Sequence, residues 1–548
     1  MTIGHNIANL EDMCGARNAA VITGCFLSWA LCPSWASSQP TSPTPAGIIL
    51  AAPIQVTAGA VQGMVEHGLT IYRGIPFAAP PVGDLRWRAP QPVDPWQGVL
   101  RATVFSPACM QKGPTLPGMM ERYSEDCLYL NVWTPAKSAT DKLAVMVYIY
   151  GGGGVSGSGS VRLVWGDQLA NRGVIVVTFN YRVGAFGALA HPELTKEAGT
   201  SGNYGLLDII AALRWVRANI AAFGGNPGNV TLFGQSAGAY WESMLMVEPE
   251  ARGLFRRVIA SSGGEFGTAA AKDAFPTLAQ AEQSGIAYAA RFGVSSVAEM
   301  RKVPATQIVA MDTEMIQGGH TSAIKHNIDG RLIPKEVRAL YEDGKQAHVD
   351  LLVGSNSDEG VNTLGPLLSA HAYAADILVR HGAFAGRFLA LYPGRSDPEA
   401  ARSQLRAQTD DVAWRELSWA RFQARVGVKH VYLYRFSTIP PFQPFARLHA
   451  AGHGAELPYV FGFPPITLLA KYEPADKAAM HTRIENQIQS YWTNFAKTGD
   501  PNGPNLPPWP SFSISNQRLL EMGDTFVVAA VPDALAMQLL DELHAEAH

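Results

Sequence analysis

Charge is scarce in this chain: Asp, Glu, Lys and Arg make up only 16% of its 548 residues. The 43 basic side chains nearly cancel the 46 acidic ones, for a formal net charge of −3. That balance leaves no basic footprint for nucleic acid and no polybasic patch for a membrane surface. Repeats and low-complexity blocks are lacking as well. Glycine (53) and proline (37) are plentiful but dispersed, which excludes collagen-like and disordered readings. With 47% hydrophobic residues there is apolar mass for one large core, and no linker divides residues 48–548, which read as one domain.

Cysteine is both rare and odd in number, at five. Cys14, Cys25 and Cys32 lie near the N-terminus, where AAVITGCFLSWALC (19–32) follows Arg17. This apolar run of about 14 residues falls short of the ~20 needed to cross a bilayer. Ser34 and Ala36 then place small residues at −3 and −1 of a cut after Ala36. Residues 1–36 therefore read as a cleaved secretory signal peptide, and residues 37–47 (SSQPTSPTPAG) as a flexible lead-in. Glu11 and Asp12 interrupt the basic leader start, so Met1 and Met13 both stand as initiation sites. Ile22-Thr23-Gly24-Cys25 also matches a lipoprotein cleavage box, though few apolar residues precede it. The expectation is export, to the periplasm or beyond, with no stable membrane insertion of the mature chain.

The runs KLAVMVYIY (142–150) and GVIVVTFNY (173–181) are almost continuously apolar, as strands buried on both faces must be. Apolar residues between Asp208 and Phe223 recur at helical spacing; VTLF (230–233) reads as a strand and AGAYWESMLMV (237–247) as a helix. DLLVGS (350–355) and HVYLYRF (430–436) are further strands, and Leu535, Leu539 and Leu543 align on a C-terminal helix. Strands alternating with helices predict an α/β fold with a large, mostly parallel central sheet and helices on both faces.

Gly234-Gln235-Ser236-Ala237-Gly238 is the only G-x-S-x-G in the chain. The string is weak alone, but it stands between a strand and a helix. There its glycines permit a sharp turn that projects the serine hydroxyl and aims the next backbone N–H at the same point. Such a serine needs a base, an orienting acid and donors for an oxyanion. YIYGGGGVSGSG (148–159) follows a buried strand and offers glycine N–H groups for the last role. Gly152, Gly154 and Gly157 also fit the dinucleotide fingerprint G-x-G-x-x-G. A Ser/Gly loop follows instead of a helix, however, and no acidic residue ends the next strand.

With their neighbours these residues resemble the type-B carboxylesterase/cholinesterase family of α/β-hydrolases, in its secreted bacterial form. The resemblance runs from about residue 54 to about 512 through YRGIPFAAPPVGDLRWRAPQP (72–92), EDCLYLNVWTP (125–135), NYRVGAFGALAHPEL (180–194) and FGGNPGNVTLFGQSAGA (223–239). It continues in LLVGSNSDEG (351–360), HGAELPYVFG (453–462) and SYWTNFAKTGDPN (490–502). It implies an α/β-hydrolase fold and a serine esterase working through an acyl-enzyme, with Ser236 as nucleophile, Glu359 as acid and His453 as base. Asp358 is the rival acid. The implied oxyanion donors are the N–H groups of Gly152, Gly153 and Ala237. No cofactor and no metal are implied; His449 lies four residues before His453, but the intervening residues bring no acidic partner. The partner is a small-molecule ester, and the oligomeric state is left open.

Departures from the family narrow the substrate. Gly154 stands where many relatives carry an aromatic residue, which implies a wider acyl pocket, and Gln235 stands where Glu is common. The segment between Cys109 and Cys127 resembles the family's first disulfide loop. Removal of the leader would leave these two cysteines as the pair. The loop has no Trp for cation–π capture of a quaternary ammonium, which argues against choline esters; its Lys112 and Arg122 are candidates for meeting anionic ones. Trp87, Trp96 and Trp133 read as core residues. Two alternatives remain open: a non-catalytic adhesion-type module, and the same triad used on lipids, carbamates or amides.

Overall fold

Strands made wholly of apolar residues need cover on both faces, and the computed structural model supplies it. It describes residues 48–113, 122–267, 275–317, 324–361, 366–441, 445–463 and 474–545; the leader, the lead-in and Cys14, Cys25 and Cys32 lie outside them. One twelve-stranded sheet runs through the unit Ile48–His548. Its strands are β1 (Ile49–Leu50), β2 (Met64–Glu66), β3 (Leu69–Pro76), β4 (Tyr129–Thr134), β5 (Leu143–Ile149) and β6 (Ile175–Phe179). They continue as β7 (Gly225–Gln235), β8 (Arg257–Ser261), β9 (Asp350–Asn356), β10 (Val431–Phe436), β11 (Arg518–Met522) and β12 (Phe526–Ala530). Their order in space is β1-β2-β3-β4-β6-β5-β7-β8-β9-β10-β11-β12. From β6 to β11 all neighbours are parallel, while both edges are antiparallel. Successive residues Val145, Met146 and Val147 of β5 are fully buried, as are Val176 and Val177 of β6, so both faces are covered.

Chain order reverses at β5, which pairs with β6 on one side and β7 on the other. The crevice beyond the carboxyl ends of strands at such a reversal is where open α/β sheets bind ligands. Helices α1 (Tyr204–Asn219), α2 (Ala237–Leu245), α3 (Asp397–Arg425) and α4 (Ala475–Thr498) are among those covering the sheet, and α5 (Ala534–Ala545) packs on α3. α2 packs on β5, β7 and β8, and α3 on β9 and β10.

Local differences from the sequence reading have physical causes. β7 starts at Gly225, well before VTLF, because Gly225 pairs with Leu143 ahead of an irregularity in register. α1 begins at Tyr204, so Asp208 is no helix boundary but a fully buried residue in the helix. Its carboxylate accepts from the Arg182 backbone N–H at 3.0 Å and from the guanidinium at 2.7 Å through both oxygens. On α5, Leu539 is buried but Leu535 is 74% exposed. The buried stripe runs through Ala536, Met537, Leu539 and Leu540, and Leu535 lies roughly 120° from its centre at 100° per residue.

Cys109 and Cys127 are joined by a disulfide, with Cα atoms 5.0 Å apart. Closing that short loop contributes about 3 kcal/mol by restricting the unfolded chain. Trp87 and Trp133 are core residues, while Trp96 is partly buried and donates from its indole N–H to Ala60 O at 2.9 Å. Among the described residues no helix is long and apolar enough to cross a membrane.

Removing one member of a buried ion pair strands the other charge. Asp208→Ala is therefore expected to lower the unfolding free energy by about 3–5 kcal/mol, measured by urea denaturation at neutral pH.

Candidate active site

β7 ends at Gln235 and α2 begins at Ala237, so Ser236 alone must turn the chain. It does so at φ 58°, ψ −126°, a region costly for any residue with a side chain. Hydrogen bonds hold it there: Ser236 N–H donates to Ser261 O at 2.8 Å, and Tyr240 N–H donates to Ser236 O at 3.0 Å. The flanking glycines are needed for close approach. A Cβ on Gly238 would lie 1.9 Å from Ile149 O, and one on Gly234 would lie 2.7 Å from the Gly238 carbonyl carbon.

The glycine loop after β5 passes directly beside this turn, since a Cβ on Gly151 would lie 2.9 Å from Ser236 Cβ. Gly152, Gly153 and Gly154 then run at φ 113°, 65° and 72°, a succession open to glycine alone. Gly152 O accepts from Val155 N–H and Ser156 N–H, each at 3.1 Å, which folds the loop back on itself. Ala237 is the first residue of α2, a position whose N–H has no acceptor within the helix. The three backbone donors selected from the sequence thus belong to segments adjoining Ser236.

Glu359 and His453 come together although 94 residues separate them: His453 Nδ1 lies 2.5 Å from Glu359 Oε2. Glu359 is fully buried. Its other oxygen accepts from Ser262 Oγ at 2.5 Å and from Asn356 N–H at 2.7 Å. Asp358 faces elsewhere, accepting from Ser357 Oγ at 2.6 Å and Ala451 N–H at 3.1 Å. Burial alone would push His453 down; the charge and hydrogen bond of Glu359, helped by the charge of Glu456, outweigh it and raise the imidazole above its ordinary value. Behind the histidine, burial and the charge of Glu359 push Glu456 up to about 7. Glu416, which accepts from Gly263 N–H at 2.6 Å, is held well above the usual carboxyl range by burial.

Ser236 and His453 line one cavity of about 390 Å³. Gly153, Gly154 and Ala237 line it too; Gln235 is not among its lining residues, and its side-chain Nε2 lies 3.1 Å from His453 Nε2 instead. Gly154 has open space where a side chain would begin, but its positive φ strains any replacement. Lys112 and Arg122 are exposed and do not line the cavity; its cationic residues are Lys325 and Arg415. Arg415 Nε donates to Asp411 Oδ2 at 2.8 Å. Sequence reasoning missed this wall, although Gln408, Asp411, Val412 and Arg415 fall at the spacing of one helical face. It missed Ser262 and Asn356 as well; Ser262 was signalled only by the SSGG that ends the apolar run of β8.

The model of the carboxylesterase family matches residues 51–539 of the chain. The fumonisin B1 esterase of Sphingopyxis macrogoltabida is 34% identical over 475 residues, covering 83% of each chain. The para-nitrobenzyl esterase of Bacillus subtilis (strain 168) is 34% identical over 500 residues, covering 88% of this chain and 97% of its own. A solved structure of a thermophilic PNB esterase superposes with a TM-score of 0.78 at 34% identity, covering 89% of this chain and 99% of the other.

Because the fold favours the imidazolium of His453, this contribution to stability is fully present below about pH 6.5. It is lost as pH rises through the folded midpoint. Followed by NMR, the His453 ring is expected to titrate above its ordinary value in the wild type, and at a lower pH in Glu359→Gln.

Proposed function

Because this chain belongs to the carboxylesterase family of carboxylic ester hydrolases, we propose that it cleaves esters through an acyl-enzyme on Ser236, with His453 as base and Glu359 as its orienting acid. The observation that carries this reading is the 2.5 Å contact of His453 Nδ1 with buried Glu359, on a histidine that shares its cavity with Ser236. Glu359 fixes the ring with Nδ1 protonated and leaves Nε2 to accept a proton. His453 takes the Ser236 proton as the oxygen attacks the ester carbonyl. The tetrahedral oxyanion forms within reach of backbone N–H groups of Gly152, Gly153 and Ala237. The imidazolium then protonates the departing alcohol, and water repeats the sequence to release the acid.

The open space beside Gly154 supports tolerance of bulky acyl groups. The Cys109–Cys127 bridge and the leader-like N-terminus support an exported enzyme, residues 48–548 forming its catalytic domain.

Ser236→Ala is expected to reduce kcat on a p-nitrophenyl ester by roughly 10⁴-fold or more; turnover at the wild-type rate would refute the assignment. Gly154→Phe is expected to lower kcat/KM for bulky acyl esters more than for acetates. Gly154→Ala serves as the control for backbone strain, and an equal loss on both esters would sink the wide-pocket reading.

A further inference from the structure

His453 is engaged at both ring nitrogens. With Nδ1 donating to Glu359, Nε2 is an acceptor, and among the described residues the side-chain group on it is the Gln235 amide at 3.1 Å. Among the described residues Ser236 Oγ makes no hydrogen bond to that nitrogen. Gln235 is the last residue of β7, is 6% exposed and directly precedes Ser236. One strand end therefore carries both the hydroxyl that must lose a proton and the amide that occupies the proton's destination. An amide suits this place because it is neutral and offers N–H donors. A carboxylate here would have no hydrogen to give a neutral imidazole and would match only the imidazolium.

We propose that Gln235 is a positioning residue for His453: its amide N–H caps Nε2 of the resting base, fixes the Nδ1–H tautomer, and withdraws when the Ser236 hydroxyl takes its place. The exchange replaces one hydrogen bond to Nε2 by another, so the neutral form of the base keeps a partner and stays correctly turned between turnovers. This rests on the triad reading above.

Other groups also act on the ring. Glu359 and Glu456 face it from the segments after β9 and after His453, with Glu416 of α3 next to Glu359. Lys325, His326, Asp411 and Arg415 share its cavity. Burial and the charge of Glu359 push Glu456 up to about 7, so the test is run in a Glu456→Gln background.

The experiment compares Gln235→Met, which keeps length but has no donor, with Gln235→Glu. Two readouts are taken: the acid limb of kcat/KM for a p-nitrophenyl ester, and the His453 ring titration by NMR in Ser236→Ala protein. Losing the donor frees Nε2 and is expected to move both midpoints to higher pH in Gln235→Met. In Gln235→Glu the added charge is expected to move them further, by about one unit, a tenfold gain in proton affinity. A shift in the glutamate variant alone would assign the effect to charge and overturn the capping role, as would no shift in either. Because the NMR titration needs no turnover, it reports on Gln235 even if Ser236 proves not to be the nucleophile.

Discussion

The approach of α2 to β5 is the constraint on which the rest of the site depends. Gly238 lies so near Ile149 O that a methyl group there would be 1.9 Å from it, closer than non-bonded atoms can come. With the helix drawn in that far, the single residue between β7 and α2 must carry the whole change of direction, and Ser236 takes a positive φ to do so. The neighbouring strand repeats the device, because Ser262 after β8 also sits at a positive φ, 56°. That second kink turns Ser262 Oγ onto Glu359, so two adjacent strand ends seat the serine and the acid together.

Most of the fold was legible because buried parallel strands write themselves as apolar runs. The runs at 142–150, 173–181, 350–355 and 430–436 each hold a strand of the sheet, displaced by a residue or two at the ends. The burial of Asp208 was not legible, because periodicity does not encode the partner of a charge and Arg182 lies on a different segment. The same holds for Leu535, whose alignment with Leu539 says nothing about which side of the stripe the core occupies.

The candidate site was legible where function demands unusual local sequence and illegible where it demands tertiary contact. Strings of glycine around Ser236 and at 151–154 announce themselves. Glu359 and His453 were reached through resemblance, and their 2.5 Å contact is a product of the fold. Asn356 and Glu416 carry no local signature and Ser262 only a faint one, yet Ser262 and Asn356 hold Glu359 in place, and Glu456, inside a quoted motif but given no role there, adds its charge to that of Glu359 on the imidazole. Burial makes acids costly to ionise, so Glu416 and Glu456 are pushed toward their neutral forms. Glu359 is held by a hydroxyl, a backbone N–H and the ring.

The cavity wall drawn from α3 has a consequence for how such a protein diversifies. Gln408, Asp411, Val412 and Arg415 shape the cavity from one face of a helix that carries none of Ser236, Glu359 or His453. A substitution at Gln408 or Val412 alters the room available to a ligand from a helix that carries none of the three. Selection can therefore recut the cavity a helical turn at a time, and lineages can part in diet while inheriting the same reacting centre.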